Sequence, residues 1–208
     1  SPRVTAADRD VEPLVVNVVG ARTKDGRQGP GTRLMVLVHG YGADEHDLAP
    51  LAPLYDPDGE FFVICPRAPN DVPPFGAGWY ERDATGAIDV AGFVESVDRL
   101  DATIDATCAG HGFDRSQAVI IGFSQGAAAT LAVALRSGGA TRPAAIACLS
   151  GMLQEPDGFD YDWHASDLPP ACVQHGTQDP MVPLERGHHV RDTLLSKGVD
   201  VTYSEYAM

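Results

Sequence analysis

The chain has 208 residues, 44% of them hydrophobic, which suits one domain with a sizeable core. Its 29 acidic and 15 basic residues give a formal charge of −14 at pH 7, which disfavours nucleic-acid binding because few cations are present to neutralise phosphates. No run of about 18 apolar residues is present, so we expect no stable membrane insertion.

Strands and helices are predicted in alternation along the chain. In chain order the predicted strands are EPLVVNVVG, RLMVLVHG, FFVICP, QAVIIGF, PAAIACLSG, PPACVQHG and VDVTYSEY. The predicted helices are a short, proline-interrupted EHDLAPLAPLY, residues 89–108, residues 127–136 and LERGHHVRDTLLSKG. This alternation predicts an α/β protein, a single domain over 1–208 with a doubly wound, mostly parallel sheet and helices on both faces.

The stretch VIIGFSQGAAATLAVAL places Ser124 in a Gly-x-Ser-x-Gly turn between a predicted strand and an alanine-rich helix. This is the pattern of a nucleophile elbow, in which a sharp turn exposes a serine hydroxyl. Gly122 and Gly126 lack side chains where the strand and the helix approach each other. The alternative is a packing turn whose serine only caps a helix, but the flanking strand and helix favour the elbow.

Two further segments predict the other parts of an acyl-transfer site. In VLVHGYGADEHDL a strand leads into a small loop, where the N–H of Tyr41, with the N–H of Gln125, would form an oxyanion hole. His39 is predicted to anchor this loop and not to act as the base. In VQHGTQDPMVPLERG, Asp179 has the place of a triad acid in the chain order serine, aspartate, histidine, with a turn-forming aspartate as the alternative.

Five segments, LVHGYGADEHDL, FVICPRAPNDVPPFGAGWYE, GFSQGAAATLAVAL, LSGML and HGTQDPMVP, resemble the phospholipase/carboxylesterase family of α/β-hydrolases, which includes acyl-protein thioesterases and small bacterial carboxylesterases. The resemblance spans nearly the whole chain from Leu34 onward. It implies the α/β-hydrolase fold, Ser124 as nucleophile, Asp179 as triad acid and hole donors at Tyr41 and Gln125. It also implies that carboxylic esters or thioesters are hydrolysed without a metal or an organic cofactor.

The resemblance also implies a loop on the substrate side of the site. The residues predicted to line the substrate pocket are Phe75, Trp79, Tyr80, Met152 and Leu153. Their apolar character favours an aliphatic or aryl acyl group over a charged one. Glu81 stands where many relatives have aspartate, and this departure affects that loop only.

The catalytic base of the family is a histidine in a Gly-His pair after the last strand, and the sequence reaches Met208 without such a pair. We expect the triad histidine, its loop and a last helix beyond Met208. We expect Ser124 and Asp179 to lie at neighbouring strand ends, with an imidazole-sized gap between them. We also expect four histidines to lie too far from the Ser124 hydroxyl to replace that base: His39, His175, His188 and His189.

Two functions from different classes fit this pattern. The leading hypothesis is a serine esterase that works through an acyl-enzyme on a small ester, with thioesters or lysophospholipids as alternative substrates. The rival is a non-catalytic module that binds an acyl ligand and has lost the base.

The remaining composition bears on the environment of the protein. Four widely spaced cysteines without a C-x-x-C pair predict reduced thiols and no metal site. The N-terminal SPRVTAADRDVEP is charged and unlike a signal peptide, so we expect a cytoplasmic protein, a monomer or a homodimer. Only Lys24 and Lys197 are lysines, and the acidic balance fits either ordinary acidic solubility or a salt-adapted proteome.

Overall fold

The computed structural model describes residues 11–208, so most of the charged N-terminal stretch lies outside the described residues. Its strands are β1 Val16–Gly20, β2 Arg33–Val38, β3 Phe61–Pro66, β4 Asn70–Val72, β5 Gly76–Gly78, β6 Val119–Phe123, β7 Ala145–Leu149, β8 Ala171–Gly176 and β9 Val201–Tyr206. Its helices are α1 Ala52–Tyr55, α2 Val90–His111, α3 Gln125–Leu135 and α4 Leu184–Ser196, with 3₁₀ turns at Ala49–Leu51 and Arg115–Gln117. No helix within this range is long and apolar enough to cross a membrane.

Seven of these strands form one sheet in the order β1-β3-β2-β6-β7-β8-β9. Every neighbouring pair is parallel except β1 and β3, which run antiparallel. The predicted strands and the doubly wound, mostly parallel sheet are therefore confirmed, with β9 at an edge as expected. The separate hairpin of β4 and β5 was not predicted, because NDV and GAG lack the apolar run or alternation that indicates a strand.

The central strands are apolar on both faces because each face of the sheet is covered by its own core. Successive side chains of a strand point to opposite faces, so Val36 lies in the larger core and Leu37 in the smaller one. The larger core lies beneath α2, α3 and α4. The smaller core is closed by the segment around α1, through Leu48 and Ala52.

The two faces are covered unequally. Three of the four described helices pack on one face, whereas α1 is the only described helix on the other. Toward β9 this second face is more open, since Phe123 is 41% exposed and Tyr206 is 47% exposed. These side chains and Leu149 border a cavity of about 400 Å³. Helices on both faces are thus present, but the second layer is a single short helix within the described chain.

The helix signals in the sequence agree with the structure apart from boundaries. The predicted apolar face of α2 is buried, with Phe93, Val97, Leu100, Ile104 and Cys108 all in the core. Gly112 takes the left-handed conformation at the end of α2, with φ 71°, and Gly198 does the same after α4, with φ 80°. α3 begins at Gln125, two residues earlier than predicted, so that it follows Ser124 directly.

Candidate active site

Ser124 occupies a strained turn between β6 and α3. Its backbone has φ 54° and ψ −118°, a conformation that non-glycine residues rarely adopt. The Ser124 N–H donates to the carbonyl of Leu149 at the end of β7, at 2.9 Å, which ties the turn to the neighbouring strand. The side chain is half-buried and faces a cavity. This geometry fits a nucleophile elbow better than a simple helix cap, because the side chain caps no backbone N–H.

The glycines on either side of Ser124 allow this turn to form. A Cβ on Gly126 would collide with the carbonyl oxygens of Val38 and His39 on β2 and its following residue. A Cβ on Gly122 would collide with the carbonyl of Gly126 and the hydroxyl of Thr130 on α3. Both positions therefore need glycine because β2, β6 and α3 approach within backbone contact.

A cavity of about 590 Å³ opens beside Ser124. Its lining includes five of the predicted site residues, namely Tyr41, Tyr80, Ser124, Gln125 and Met152. The wall is completed by the apolar residues Val72, Pro73, Met181 and Val182 and by the charged residues Asp71, Glu81 and Arg82. Met181 and Val182 were not predicted to line the pocket, although their places two and three residues after Asp179 already put them beside the predicted acid.

Three of the residues predicted to line the pocket lie elsewhere. Trp79 is fully buried, and its indole N–H donates to the carbonyl of His39 at 2.8 Å, so that it supports the hole-forming loop from within the core. Leu153 is also buried in the core. Phe75 is 85% exposed and borders a separate, shallow depression. An apolar residue in a loop can serve the core, the surface or a pocket, and the sequence does not distinguish these outcomes.

His39 anchors the loop that follows β2, as predicted. Its Nδ1–H donates to the carbonyl of Gly40 at 2.7 Å, and its Nε2 accepts the N–H of Ala68 at 3.0 Å. These two partners require the neutral tautomer protonated on Nδ1. Burial lowers the pKa of His39 below its ordinary value, with the Gly40 carbonyl acting in the opposite direction. Both ring nitrogens of His39 therefore make structural hydrogen bonds, and His39 cannot serve as the base for Ser124.

The two predicted hole donors lie on the same cavity. Among residues 11–208 no acceptor takes the N–H of Tyr41 or of Gln125. The N–H of Gln125 belongs to the first residue of α3, where backbone N–H groups lack an intrahelical partner and the helix dipole favours negative charge. An oxyanion beside Ser124 would find suitable donors here, although the assignment of the hole remains a prediction.

Asp179 lies in the loop after β8 and is 17% exposed. Its Oδ1 accepts the N–H groups of Met181 and Val182, at 2.8 and 2.9 Å. His175 supports the same turn, since its Nε2–H donates to the carbonyl of Val182 at 2.8 Å and lies 3.9 Å from Asp179 Oδ2. Asp179 thus forms a turn, which was the alternative to its role as triad acid. The turn leaves Oδ2 available to hold an imidazole, so the two roles are compatible.

Ser124 and Asp179 lie at the same edge of the sheet, at the carboxyl ends of β6 and β8. We expected neighbouring strands, but β7 lies between them. The Asp179 loop nevertheless reaches the Ser124 cavity, because Met181 and Val182 line it. The serine and the predicted acid therefore share one rim of the molecule.

No histidine of the described chain hydrogen-bonds to the Ser124 hydroxyl, as predicted. His39 and His175 are occupied as described above. His188 Nε2 lies 2.8 Å from Glu205, and His189 Nε2 lies 3.3 Å from Glu155. Residues 11–208 also contain no group of three histidine, cysteine or acidic side chains that could hold a metal ion.

Part of the chain is similar in sequence to a curated hydrolase. "Putative hydrolase MhqD" of Bacillus subtilis (strain 168) is 30% identical over 101 residues, which are 48% of this chain and 48% of that protein. The chain thus matches about half the length of this curated relative.

The solved structures that resemble the chain cover nearly all of it. Esterase PE8 has a TM-score of 0.72 at 25% identity, covering 94% of this chain and 89% of its own. Arabidopsis thaliana SOBER1 has a TM-score of 0.65 at 25% identity, covering 84% and 88%. The Bacillus cereus carboxylesterase, at 21% identity, has a TM-score of 0.73 and covers 95% and 85%, which supports the shared fold.

A family model described as Phospholipase/Carboxylesterase matches residues 24–208, which include the Ser124 turn, the hole-forming loop and the Asp179 loop. The sheet order and the strand-turn-helix unit at Ser124 agree with that match. The chain therefore belongs to the phospholipase/carboxylesterase family of α/β-hydrolases.

Proposed function

We propose that this hydrolase cleaves carboxylic esters by a serine mechanism that passes through an acyl-enzyme. The observation that carries the proposal is the position of Ser124, in a strained turn at the start of α3 and beside a cavity of about 590 Å³. Tyr41 and Gln125, whose backbone N–H groups have no acceptor within residues 11–208, border the same cavity. A nucleophile beside preorganised donors is the arrangement that acyl transfer needs.

In this mechanism the Ser124 hydroxyl oxygen attacks the acyl carbonyl while a base takes its proton. The N–H groups of Tyr41 and Gln125 stabilise the oxyanion that forms. The base then returns the proton to the leaving alkoxide, and the alcohol departs from the acyl-enzyme. A water molecule, activated by the same base, releases the acid and restores the serine. Asp179 Oδ2 would orient the base and stabilise its protonated form.

The base is the part of the triad that residues 11–208 do not supply. We propose that this base is a histidine. Asp179 Oδ2 supports this proposal. It accepts neither of the backbone N–H groups that Oδ1 takes and lies 3.9 Å from His175 Nε2, and a second acceptor oxygen is what an imidazole Nδ1–H would need.

The cavity supports an aliphatic or aryl acyl group as the substrate class. Val72, Met152, Met181 and Val182 supply apolar wall, and methionine adapts to chains of different shape. The names of esterase PE8 and of the Bacillus cereus carboxylesterase support esters as substrates. Thioesters and lysophospholipids are alternatives that share the acyl carbonyl.

A fluorophosphonate probe tests the nucleophile. In a protein with its catalytic base present, we expect the probe to label Ser124 alone, and Ser124→Ala to abolish labelling and to lower kcat by roughly 10⁶-fold, as in triad knockouts elsewhere. Peptide mapping of the labelled protein identifies the modified serine. Labelling at Ser116 or Ser150 instead would refute the assignment.

Adding imidazole to the solution distinguishes the esterase from the acyl-binding alternative. That alternative is favoured by the absence of a described histidine at Ser124. Small imidazoles can occupy the place of a missing base. With the 208-residue chain and p-nitrophenyl butyrate, we expect imidazole to accelerate hydrolysis in a saturable manner. Ser124→Ala gives the background of hydrolysis by imidazole alone. Equal rates for the two proteins at every imidazole concentration would favour a binding module.

A further inference from the structure

The side chain of Gln125 turns back from α3 onto the segment that follows β5. Its Oε1 accepts the backbone N–H of Trp79 at 2.6 Å, and its Nε2 donates to the backbone carbonyl of Tyr80 at 2.7 Å. All three residues are buried. One amide thus satisfies a donor and an acceptor of adjacent residues, 46 and 45 positions away along the chain.

Tyr80 carries this contact to the cavity wall. Tyr80 lines the cavity, and its hydroxyl accepts a hydrogen bond from Gln154 Nε2 at 2.9 Å and lies 3.8 Å from Met152 Sδ. Burial raises the pKa of Tyr80, so the hydroxyl stays neutral. Gln154 is in turn held through its carbonyl, which accepts the hydroxyl of Tyr161 at 2.6 Å. Tyr80 is therefore fixed at its backbone by Gln125 and at its hydroxyl by Gln154.

The contact of the Gln125 side chain with Trp79 and Tyr80 lies beside the predicted oxyanion hole. A Cβ on Gly78 would lie 3.0 Å from Cδ2 of the Tyr41 ring and 3.3 Å from Gln125 Oε1, so the side chains of both hole residues close on this glycine. The backbone N–H of Gln125 faces the reacting carbonyl in the proposed mechanism. Its side chain holds the wall against which the acyl group would lie.

We propose that the side chain of Gln125 is a positioning residue that sets acyl-chain selectivity by holding Tyr80 against the cavity. The inference rests on the proposed ester hydrolysis, in which the acyl group occupies this cavity. At neutral pH the amide supplies both the acceptor for Trp79 N–H and the donor for the Tyr80 carbonyl, whereas an ionised carboxylate supplies no donor. A carboxylate would place a second oxygen against the Tyr80 carbonyl, and an apolar side chain would leave both backbone groups unpaired.

Two variants of equal size distinguish these possibilities, Gln125→Glu and Gln125→Met. Both keep the backbone N–H of residue 125, so they test the side chain alone. The measurement is the ratio of kcat/KM for p-nitrophenyl octanoate and p-nitrophenyl acetate. The ratio removes the titration of the common base and of His39, which act on both substrates. The wild type, which has the same charged wall residues Asp71, Glu81 and Arg82, is measured beside each variant at every pH.

We expect Gln125→Met to change this ratio by about tenfold or more at every pH, since the unpaired Trp79 N–H and Tyr80 carbonyl would no longer hold the wall in place. At low pH Gln125→Glu should show the wild-type ratio, because its protonated carboxyl donates to the Tyr80 carbonyl. At high pH it should show the altered ratio. Burial should place this transition above the ordinary glutamate pKa of about 4.3. The wild-type ratio should not vary with pH.

Fluorescence tests the same contact without hydrolysis. In a Trp163→Phe background Trp79 is the remaining tryptophan, and its emission should change with the same pH midpoint in Gln125→Glu. A wild-type protein that stays inactive even with added imidazole, together with this titration in Gln125→Glu, would refute the proposed function and leave the positioning contact standing. Wild-type selectivity and a pH-independent spectrum in both variants would overturn the inference, even in an active esterase.

Discussion

At the scale of single residues, His39 connects two loops through one neutral ring. It donates to Gly40, beside the predicted hole, and accepts from Ala68 after β3. A second proton would convert Nε2 into a donor that faces the N–H of Ala68, so the protonated form loses this hydrogen bond. Asp44 and Asp47 favour protonation and Arg67 opposes it, but desolvation is the largest influence and lowers the pKa of His39.

This lowered pKa predicts how stability depends on pH. The neutral form is favoured by folding, so the stabilising contribution is complete above the unfolded pKa of about 6.5 and is lost as pH falls toward the lower folded value. We expect the free energy of unfolding in urea to decrease between about pH 7.5 and pH 5.5. His39→Gln should reduce that decrease, whereas His46→Gln, at an exposed position, should keep the wild-type dependence. Equal pH dependence in His39→Gln and the wild type would refute this role.

At the scale of elements, β6, the Ser124 turn and α3 form one closely packed unit with β2. Gly126 lies at the first turn of α3, directly against the carbonyls of Val38 and His39. The close approach brings the N-terminus of α3 to the cavity, where the N–H of Gln125 is left free. Packing at this glycine therefore determines where the proposed oxyanion donors lie.

We expect Gly126→Ala to destabilise the protein by about 1–3 kcal/mol or more, since the added methyl has no space and must displace backbone. Gly110→Ala on α2 is the matched control, because a methyl there meets no atom within 4 Å and φ is not left-handed. That variant should stabilise the helix, by about 0.5–1 kcal/mol at most. Thermal unfolding of both variants measures the difference. A Gly126→Ala protein as stable as Gly110→Ala would contradict the packing argument.

At the scale of the whole molecule, the few basic residues are partly withdrawn from the surface. Arg115, Arg136 and Arg142 are buried. Arg115 and Arg136 both pair with the buried Asp101 between α2 and α3. With a formal charge of −14 over the chain, the surface is left strongly acidic. Buried pairs are screened little by salt, whereas repulsion between surface carboxylates is screened strongly.

Salt should therefore stabilise this protein. About 1 M salt shortens the screening length to roughly 3 Å, which removes most repulsion between exposed carboxylates. We expect the melting temperature to rise with KCl by more than that of a family member with net charge near zero. Differential scanning calorimetry from about 0.05 to 2 M KCl tests this. An unchanged melting temperature over that range would remove the salt-adapted interpretation and leave ordinary acidic solubility.

The sequence by itself determined the seven strands of the main sheet, the order of the motifs and the sharp turn at Ser124. Each depends on local chemistry: a buried parallel strand must be apolar on both faces, and a sharp strand-to-helix turn needs glycine on both sides. The role of His39 was also predictable, because it ends a strand where a loop needs an anchor. These features are encoded within a few residues of where they act.

Only the tertiary structure decided which apolar and polar side chains face the cavity. Trp79 and Leu153 lie in the core, while Met181 reaches the cavity from the Asp179 loop. The side chain of Gln125 finds its partners 45 and 46 residues away. Such contacts depend on how separate loops meet above the sheet, and hydrophobicity or helix spacing in one segment carries no information about the segment it will meet.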